Sequence, residues 1–226
     1  MTSLYLSSFH LGAEPDQLAR LVPPDARTAV VMNAADVFGA TSRMRLPANL
    51  EALRELRLSP DEVDLRDYFG APEKLARTLE PFSLIWAVGG NAFVLRRAMR
   101  YAGLDVVVRA RVTERSLVWA GFSAGAVVAG PTLEGVEFVD DPADVPVGYD
   151  VEVIWDGLGL VDRTIVPHYR SEHPESSMVE DMVSHLDARH LPYLTLRDGE
   201  ALVVAEGDER IVGARHPHDS SRPPGA

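Results

Sequence analysis

The sequence predicts an α/β fold built on a mostly parallel sheet with helices over both faces. Three observations carry this. Short apolar runs rich in β-branched residues, such as Thr-Ala-Val-Val-Met-Asn at 28–33, read as buried strands. Segments of helical period lie between them; the stretch 48–58 repeats leucine at 50, 53, 56 and 58, as an amphipathic helix does. The two kinds of segment alternate along much of the chain, and that alternation is the mark of a parallel sheet joined by crossover helices.

In order, Leu4–Ser7 is the expected first strand and 14–21 a short helix after it. Residues 28–33 form the second strand, 48–58 the next helix and 63–65 a short third strand. The fourth strand, 84–88, runs into Gly89-Gly90-Asn91 and a helix through Phe93, Leu95 and Met99. Another helix spans 105–114, and the strand 117–121 leads to Ser123. Beyond about Glu134 the texture changes: 135–150 is acidic, contains prolines and reads as a long surface loop. Thr164–Val166 is a strand stopped by Pro167, and 177–186 a helix. Strands at 193–196, 201–205 and 210–212 are parted by Asp-Gly and Glu-Gly-Asp turns. Residues 214–226 are expected to be a disordered tail, leaving one domain over 1–213.

Composition narrows the function. The formal charge of −12 is spread along the chain and repels phosphate backbones, which argues against a nucleic-acid partner. No stretch approaches the roughly 20 apolar residues that cross a bilayer, and the first residues carry neither a basic segment nor a long apolar one. The expectation is a cytoplasmic protein with no membrane partner. Cysteine is absent, so disulfides, thiolate catalysis and cysteine metal sites are excluded.

Ligands on parallel sheets bind beyond the carboxyl ends of the strands. Ser123, Gly89-Gly90 and His168 each follow a predicted strand, which puts all three on one expected rim. Ser123 sits in Gly-Phe-Ser-Ala-Gly at 121–125. Chance alone places such a match in on the order of a tenth of chains this long. The strand-to-helix setting is what a nucleophile elbow requires, since the tight turn admits only small neighbours two residues away. A bare βα turn would look the same. A serine needs a base, and His168 in Ile-Val-Pro-His-Tyr is the histidine placed at a strand end. His185 and His190 belong to a helix and its exit, and His216 and His218 form a His-x-His pair in the tail. A carboxylate must then fix the imidazole tautomer. Asp198, Asp140, Asp141 and Asp162 all remain open on spacing alone.

Four blocks resemble the dipeptidase E family of aspartyl dipeptidases, with cyanophycinase a more distant relative. They are Val-Gly-Gly-Asn-Ala-Phe-Val-Leu (88–95), Gly-Phe-Ser-Ala-Gly-Ala-Val-Val-Ala-Gly-Pro-Thr (121–132), Pro-His-Tyr (167–169) and Leu-Arg-Asp-Gly-Glu-Ala-Leu-Val-Val (196–204). The resemblance implies a three-layer fold like that of class I glutamine amidotransferases, with serine in place of their cysteine. It implies Ser123 as nucleophile, His168 as general base, and as third member either Asp198 or Asp140. Asp198 is preferred because it ends a predicted strand; Asp140, in the loop, could instead pair with a substrate's ammonium group. The N–H groups of Ala124 and Gly90 would hold the oxyanion. The sequence departs from the family at Val88, Ala92 and Val127, which bears on the substrate pocket rather than on the triad. Arg170, with Arg163 behind it, is the candidate cation for an aspartyl side chain.

The expected activity is therefore hydrolysis of short peptides with N-terminal Asp through an acyl-enzyme, needing no metal or organic cofactor. A monomer and a homodimer are both open. An α/β-hydrolase esterase is a competing expectation, although that fold places its histidine near the C-terminus. A non-catalytic amidotransferase-like binding module is another.

Overall fold

The structure, a computed structural model, describes residues 2–213. The expected tail, with His216 and His218, lies outside the described residues. Nine strands are present among them: β1 (Leu4–Ser7), β2 (Arg27–Val31), β3 (Ser59–Glu62), β4 (Leu84–Ala87), β5 (Val118–Phe122), β6 (Thr164–Val166), β7 (Tyr193–Thr195), β8 (Ala201–Ala205) and β9 (Asp208–Val212). The α-helices are α1 (Asp16–Ala19), α2 (Leu46–Glu55), α3 (Pro72–Leu79), α4 (Ala92–Ala102), α5 (Leu104–Thr113), α6 (Ala124–Val127) and α7 (Ser176–Ala188).

Seven strands form one sheet in the order β3-β2-β4-β5-β1-β8-β9. The first five are parallel, and β8 and β9 close one side as antiparallel strands. Side chains alternate across it, as the two-residue period of a strand demands. Leu4, Leu6, Val31, Ile85 and Trp119 join a core with buried residues of α3, α4, α5 and α7. Tyr5, Val30, Trp86, Val118 and Phe122 face the other way, toward Leu18 of α1 and Leu53 of α2. Two apolar cores separated by one sheet make the three-layer α/β architecture the sequence predicts.

Three differences from the expected elements matter. The third strand is β3 at 59–62, hydrogen-bonded in register with β2, whereas Leu65 opens a 3-10 turn capped by Asp64. Register against Val30 selected the more polar segment over the more apolar one. Helix α3 was not expected; it buries Leu75 and Leu79 and has Pro72 in its first turn, where a missing N–H costs nothing. The strands β6 and β7 pair only with each other, in a separate two-stranded parallel sheet. His168 therefore does not emerge from the main rim, as expected, but from this smaller sheet.

The acidic loop at 135–150 is pinned rather than loose. The buried Arg97 of α4 donates to the carbonyls of Pro142 (2.7 Å), Asp144 (3.1 Å) and Glu152 (2.9 Å). Asn91 caps α4 by accepting from the N–H groups of Phe93 and Val94, and its amide donates to Asp141 O at 2.9 Å. The start of α4 thus carries the loop to the carboxyl ends of β4 and β5.

Candidate active site

Ser123 stands between β5 and α6 with φ 49° and ψ −119°. A non-glycine residue in that region is strained by roughly 1–3 kcal/mol and persists only when its surroundings hold it there. They do so at close range. A Cβ on Gly125 would come within 2.1 Å of the Ala87 carbonyl oxygen, and one on Gly121 within 2.5 Å of the same atom. Both glycines of the Gly-x-Ser-x-Gly run are thus fixed by the neighbouring strand β4. Gly90 has φ 145°, and a Cβ there would meet the Ala34 carbonyl at 2.3 Å. Among the described residues neither the Gly90 nor the Ala124 N–H donates to a protein acceptor.

His168 and Asp198 meet because β6 and β7 run side by side. Val166 and Thr195 are paired at the strand ends, and the chains then leave in the same direction. Tyr169 N–H donates to Leu196 O (3.1 Å) and Leu196 N–H to Val166 O (2.8 Å), which extends the pairing to the site. The His168 Nδ1 hydrogen bond to Asp198 Oδ1 is 2.7 Å long. Its Nε2 is buried and, among the described residues, has no hydrogen-bond partner. Asp140 is not against His168; its carboxylate accepts the N–H of Ala92 at 2.7 Å.

Ser8 was not singled out in the sequence, yet it joins the parts. Its hydroxyl donates to Asp198 Oδ1 (2.8 Å) and accepts from the His168 N–H (2.8 Å). Ser123 N–H lies 3.2 Å from the carbonyl oxygens of both Ser7 and Ser8. Nothing local marks it: Ser8 follows the last residue of β1, and it is the pairing of Ser7 with Phe122, one residue before Ser123, that brings it to the site.

Electrostatics separates the two aspartates. Burial pushes Asp198 up, but hydrogen bonds from His168 and Ser8 outweigh it, so its carboxyl lies below the ordinary value. Asp140 keeps part of its surface accessible, yet its carboxyl sits deep among protein atoms. That burial pushes it up to about 7, with Glu175 and Asp144 adding to the rise against the Ala92 hydrogen bond. Ser123, Ala124, His168, Asp140 and Glu175 line a small cavity of about 20 Å³, room for about one water-sized group.

His173 stacks on His168 with ring centroids 3.8 Å apart and planes 14° apart. Burial lowers its imidazole, and the neighbouring His168 lowers it further. His168, His173 and Glu175 bring metal-ligating atoms within 4.8 Å of one another. Their geometry suits packing better than chelation, because in-plane lone pairs of two stacked rings run side by side instead of converging. Arg170 is exposed and paired with Glu180 at 3.2 Å, and Arg163 pairs with Asp162 (2.7 Å) and Glu209.

Residues 41–212 match the sequence profile of peptidase family S51. The chain belongs to that family. As a family S51 member it is a serine-type peptidase acting on peptides. It is 27% identical to the Listeria innocua protein named Uncharacterized peptidase Lin0382 over 165 residues, 73% of this chain and 74% of that one. It is 29% identical to Peptidase E of Salmonella typhi over 161 residues, 69% of this chain and 66% of the other. A Drosophila melanogaster protein named "Probable alpha-aspartyl dipeptidase" is 30% identical over 141 residues, 60% of this chain and 55% of that one. A candidate peptidase E protein from Listeria monocytogenes EGD-e superposes with a TM-score of 0.78 at 21% identity, over 95% of this chain and 100% of that one. That likeness shows that the two share a fold. Among the described residues no helix is long and apolar enough to cross a membrane.

Proposed function

We propose that this S51 peptidase is a dipeptidase that releases the N-terminal residue, with a preference for aspartate, from short peptides through a serine acyl-enzyme. The observation that carries it is the His168–Asp198 hydrogen bond of 2.7 Å beside a strained Ser123, with His168 Nε2 left unpartnered. In this reading Asp198 holds the Nδ1–H tautomer, so Nε2 is the basic nitrogen. Ser123 Oγ attacks the scissile carbonyl carbon while Nε2 takes its proton. The oxygen of that carbonyl becomes an oxyanion that accepts from the N–H groups of Gly90 and Ala124. Collapse breaks the C–N bond, and His168 returns the proton to the departing amine. Water then attacks the acyl-serine by the same route in reverse.

The small acidic cavity supports exopeptidase action. Asp140 and Glu175 line this cavity with the serine, and among the described residues Asp140 has one hydrogen-bond donor and no cation paired with it. A substrate's terminal ammonium supplies the missing charge, and a chain continuing in the amino direction has no equivalent. The aspartate preference rests on the names of the relatives, Peptidase E and alpha-aspartyl dipeptidase.

The test is hydrolysis of Asp-Leu, Glu-Leu, Ala-Leu and β-Asp-Arg by the wild type and by Ser123→Ala. Cleavage of Asp-Leu, with kcat lowered about 10⁴-fold or more in the variant, is the expected result. Preferential cleavage of Ala-Leu would keep the dipeptidase and remove the aspartate preference. An unchanged rate in Ser123→Ala would remove the serine mechanism.

A further inference from the structure

On the far side of Ser123 from the acidic cavity, the carboxyl ends of β2, β4 and β5 open into a second cleft of about 470 Å³. It begins at the nucleophile: a Cβ on Gly89 would lie 3.0 Å from the Ser123 Cβ and 2.9 Å from the Phe122 ring. Gly89 and Phe122 form its inner wall, and Arg45 and Asn49 its outer one. The same two outer residues line an adjoining cleft of about 400 Å³ that reaches His10. In a chain with 34 acidic residues, neither cleft has a carboxylate in its lining, and Arg45 is the one formally charged residue lining each.

Arg45 differs from its neighbours. Arg43, two residues earlier, is held by Asp36 (2.7 Å), Glu62 (2.5 Å) and Asp64 (3.0 Å). Among the described residues no hydrogen bond or ion pair engages the Arg45 guanidinium. Its charge is nonetheless felt at the site. His10 is lowered first by burial and next by Arg45, and Arg45 adds to the lowering of His173. Arg45 also precedes α2, a ten-residue helix without an acidic residue in its first turn. The positive end of that helix therefore lies next to Arg45 in the chain.

We propose that Arg45 is a specificity residue that binds a carboxylate of the substrate in this cleft. The inference rests on the dipeptidase reading and deepens it. A dipeptide would lie across Ser123 with its ammonium at Asp140 and Glu175 and a carboxylate at Arg45. A dipeptide such as Asp-Leu has two carboxylates, one on the aspartyl side chain and one at the C-terminus, and a planar guanidinium recognises either as a bidentate partner.

Three substrates separate them. Wild type, Arg45→Ala and Arg45→Lys are compared on Asp-Leu, Ala-Leu and Asp-Leu amide, with kcat and KM resolved. Loss of one charge-assisted contact predicts a fall in kcat/KM of about tenfold to a hundredfold, with partial retention in Arg45→Lys. A fall confined to Asp-Leu and its amide assigns the side-chain carboxylate. An equal fall for Asp-Leu and Ala-Leu, with the amide unaffected by the substitution, assigns the C-terminus. No change on any substrate overturns the proposal. Calorimetric binding of Asp-Leu to Ser123→Ala and to Ser123→Ala/Arg45→Ala reads the same contact without turnover. If the wild type cleaves nothing, the dipeptidase reading fails, while a tenfold or greater loss of affinity in the double variant still supports Arg45. Equal affinity, or no binding at millimolar peptide, overturns it. Arg45 is exposed, so its removal should leave the thermal midpoint within a few degrees of wild type.

Discussion

Asp198 and Asp140 both border the Ser123–His168 pair, and their surroundings push them in opposite directions. Asp198 accepts from His168 and from the Ser8 hydroxyl, and its own N–H is held by Ser171 Oγ at 2.8 Å. Asp140 accepts a single backbone N–H and faces two other acids. Burial opposes ionisation in each. The number of donors decides the outcome: two side-chain donors keep one carboxylate charged, and one backbone donor leaves the other close to neutral pH. A residue poised in that way gains most from a cation brought by a ligand. A residue already saturated gains nothing, and it can only orient its partner.

The largest effect should come from breaking the saturated side. Asp198→Asn preserves the shape but offers an amide N–H or carbonyl where a charge stood, so the imidazolium formed during attack loses its partner and the tautomer can reverse. A fall in kcat on the order of 10⁴-fold is expected for Asp-Leu, with KM little changed. A fall of less than tenfold would mean that Asp198 does not orient the base, and the contrast with Asp140 would lose its functional meaning.

Asp140→Asn should act differently. If Asp140 holds the substrate ammonium, its loss raises KM by about tenfold to a hundredfold while kcat falls less. Its stability signature has a defined sign. A carboxyl raised to about 7 in the folded protein binds more protons than in the unfolded chain between the ordinary aspartate value and about 7. Stability contributed at this position therefore falls as pH rises through that window, by on the order of a few kcal/mol when complete. The asparagine variant removes this slope. It should be more stable than wild type at pH 8 and about equal or less stable at pH 5, as thermal midpoints in a pH series would register. A variant that loses both activity and stability at pH 8 would instead make Asp140 a structural acid.

How much of this was legible depends on whether the deciding contact is local. The alternation of apolar strands and amphipathic helices exposes the sheet directly, and Ser123 is visible because its glycines flank it in sequence. Even there the reason was out of view: Gly121 and Gly125 are required by the Ala87 carbonyl on a strand more than 30 residues earlier. Asp198 stood out by following a strand, but nothing local says that β6 and β7 pair with each other and not with the main sheet. The polar segment 59–62 hid β3, since its strand character comes from pairing with β2 and not from its own composition. Ser8, Arg45, Arg97 and Glu175 escaped for a related reason. Each is an ordinary polar residue whose partners or cavity come from distant parts of the chain. The buried Arg97 is the sharpest case, because burial of an arginine is read only from the carbonyls that satisfy it.

The smallest effect, and the most discriminating, concerns Ser8. Its hydroxyl is one of the two side-chain donors that distinguish Asp198 from Asp140, and it also fixes the His168 backbone, which has φ 60°. Ser8→Ala removes one neutral donor from a charged acceptor and leaves the His168 N–H without its acceptor. The buried site changes by a single oxygen, so the fold should persist with a loss of about 1–3 kcal/mol. The carboxyl of Asp198 should move up toward its ordinary value, while the histidine–aspartate bond itself stays. The expected result is a fall in kcat of about threefold to thirtyfold with KM unchanged, and an acidic limb of the kcat–pH profile displaced relative to wild type. Ser8→Thr keeps the hydroxyl, and if its methyl group fits beside Leu196 it should recover much of the loss. A variant with lower stability but an unaltered pH profile would reduce Ser8 to a structural hydrogen bond and leave His168 alone as the group that sets the character of Asp198.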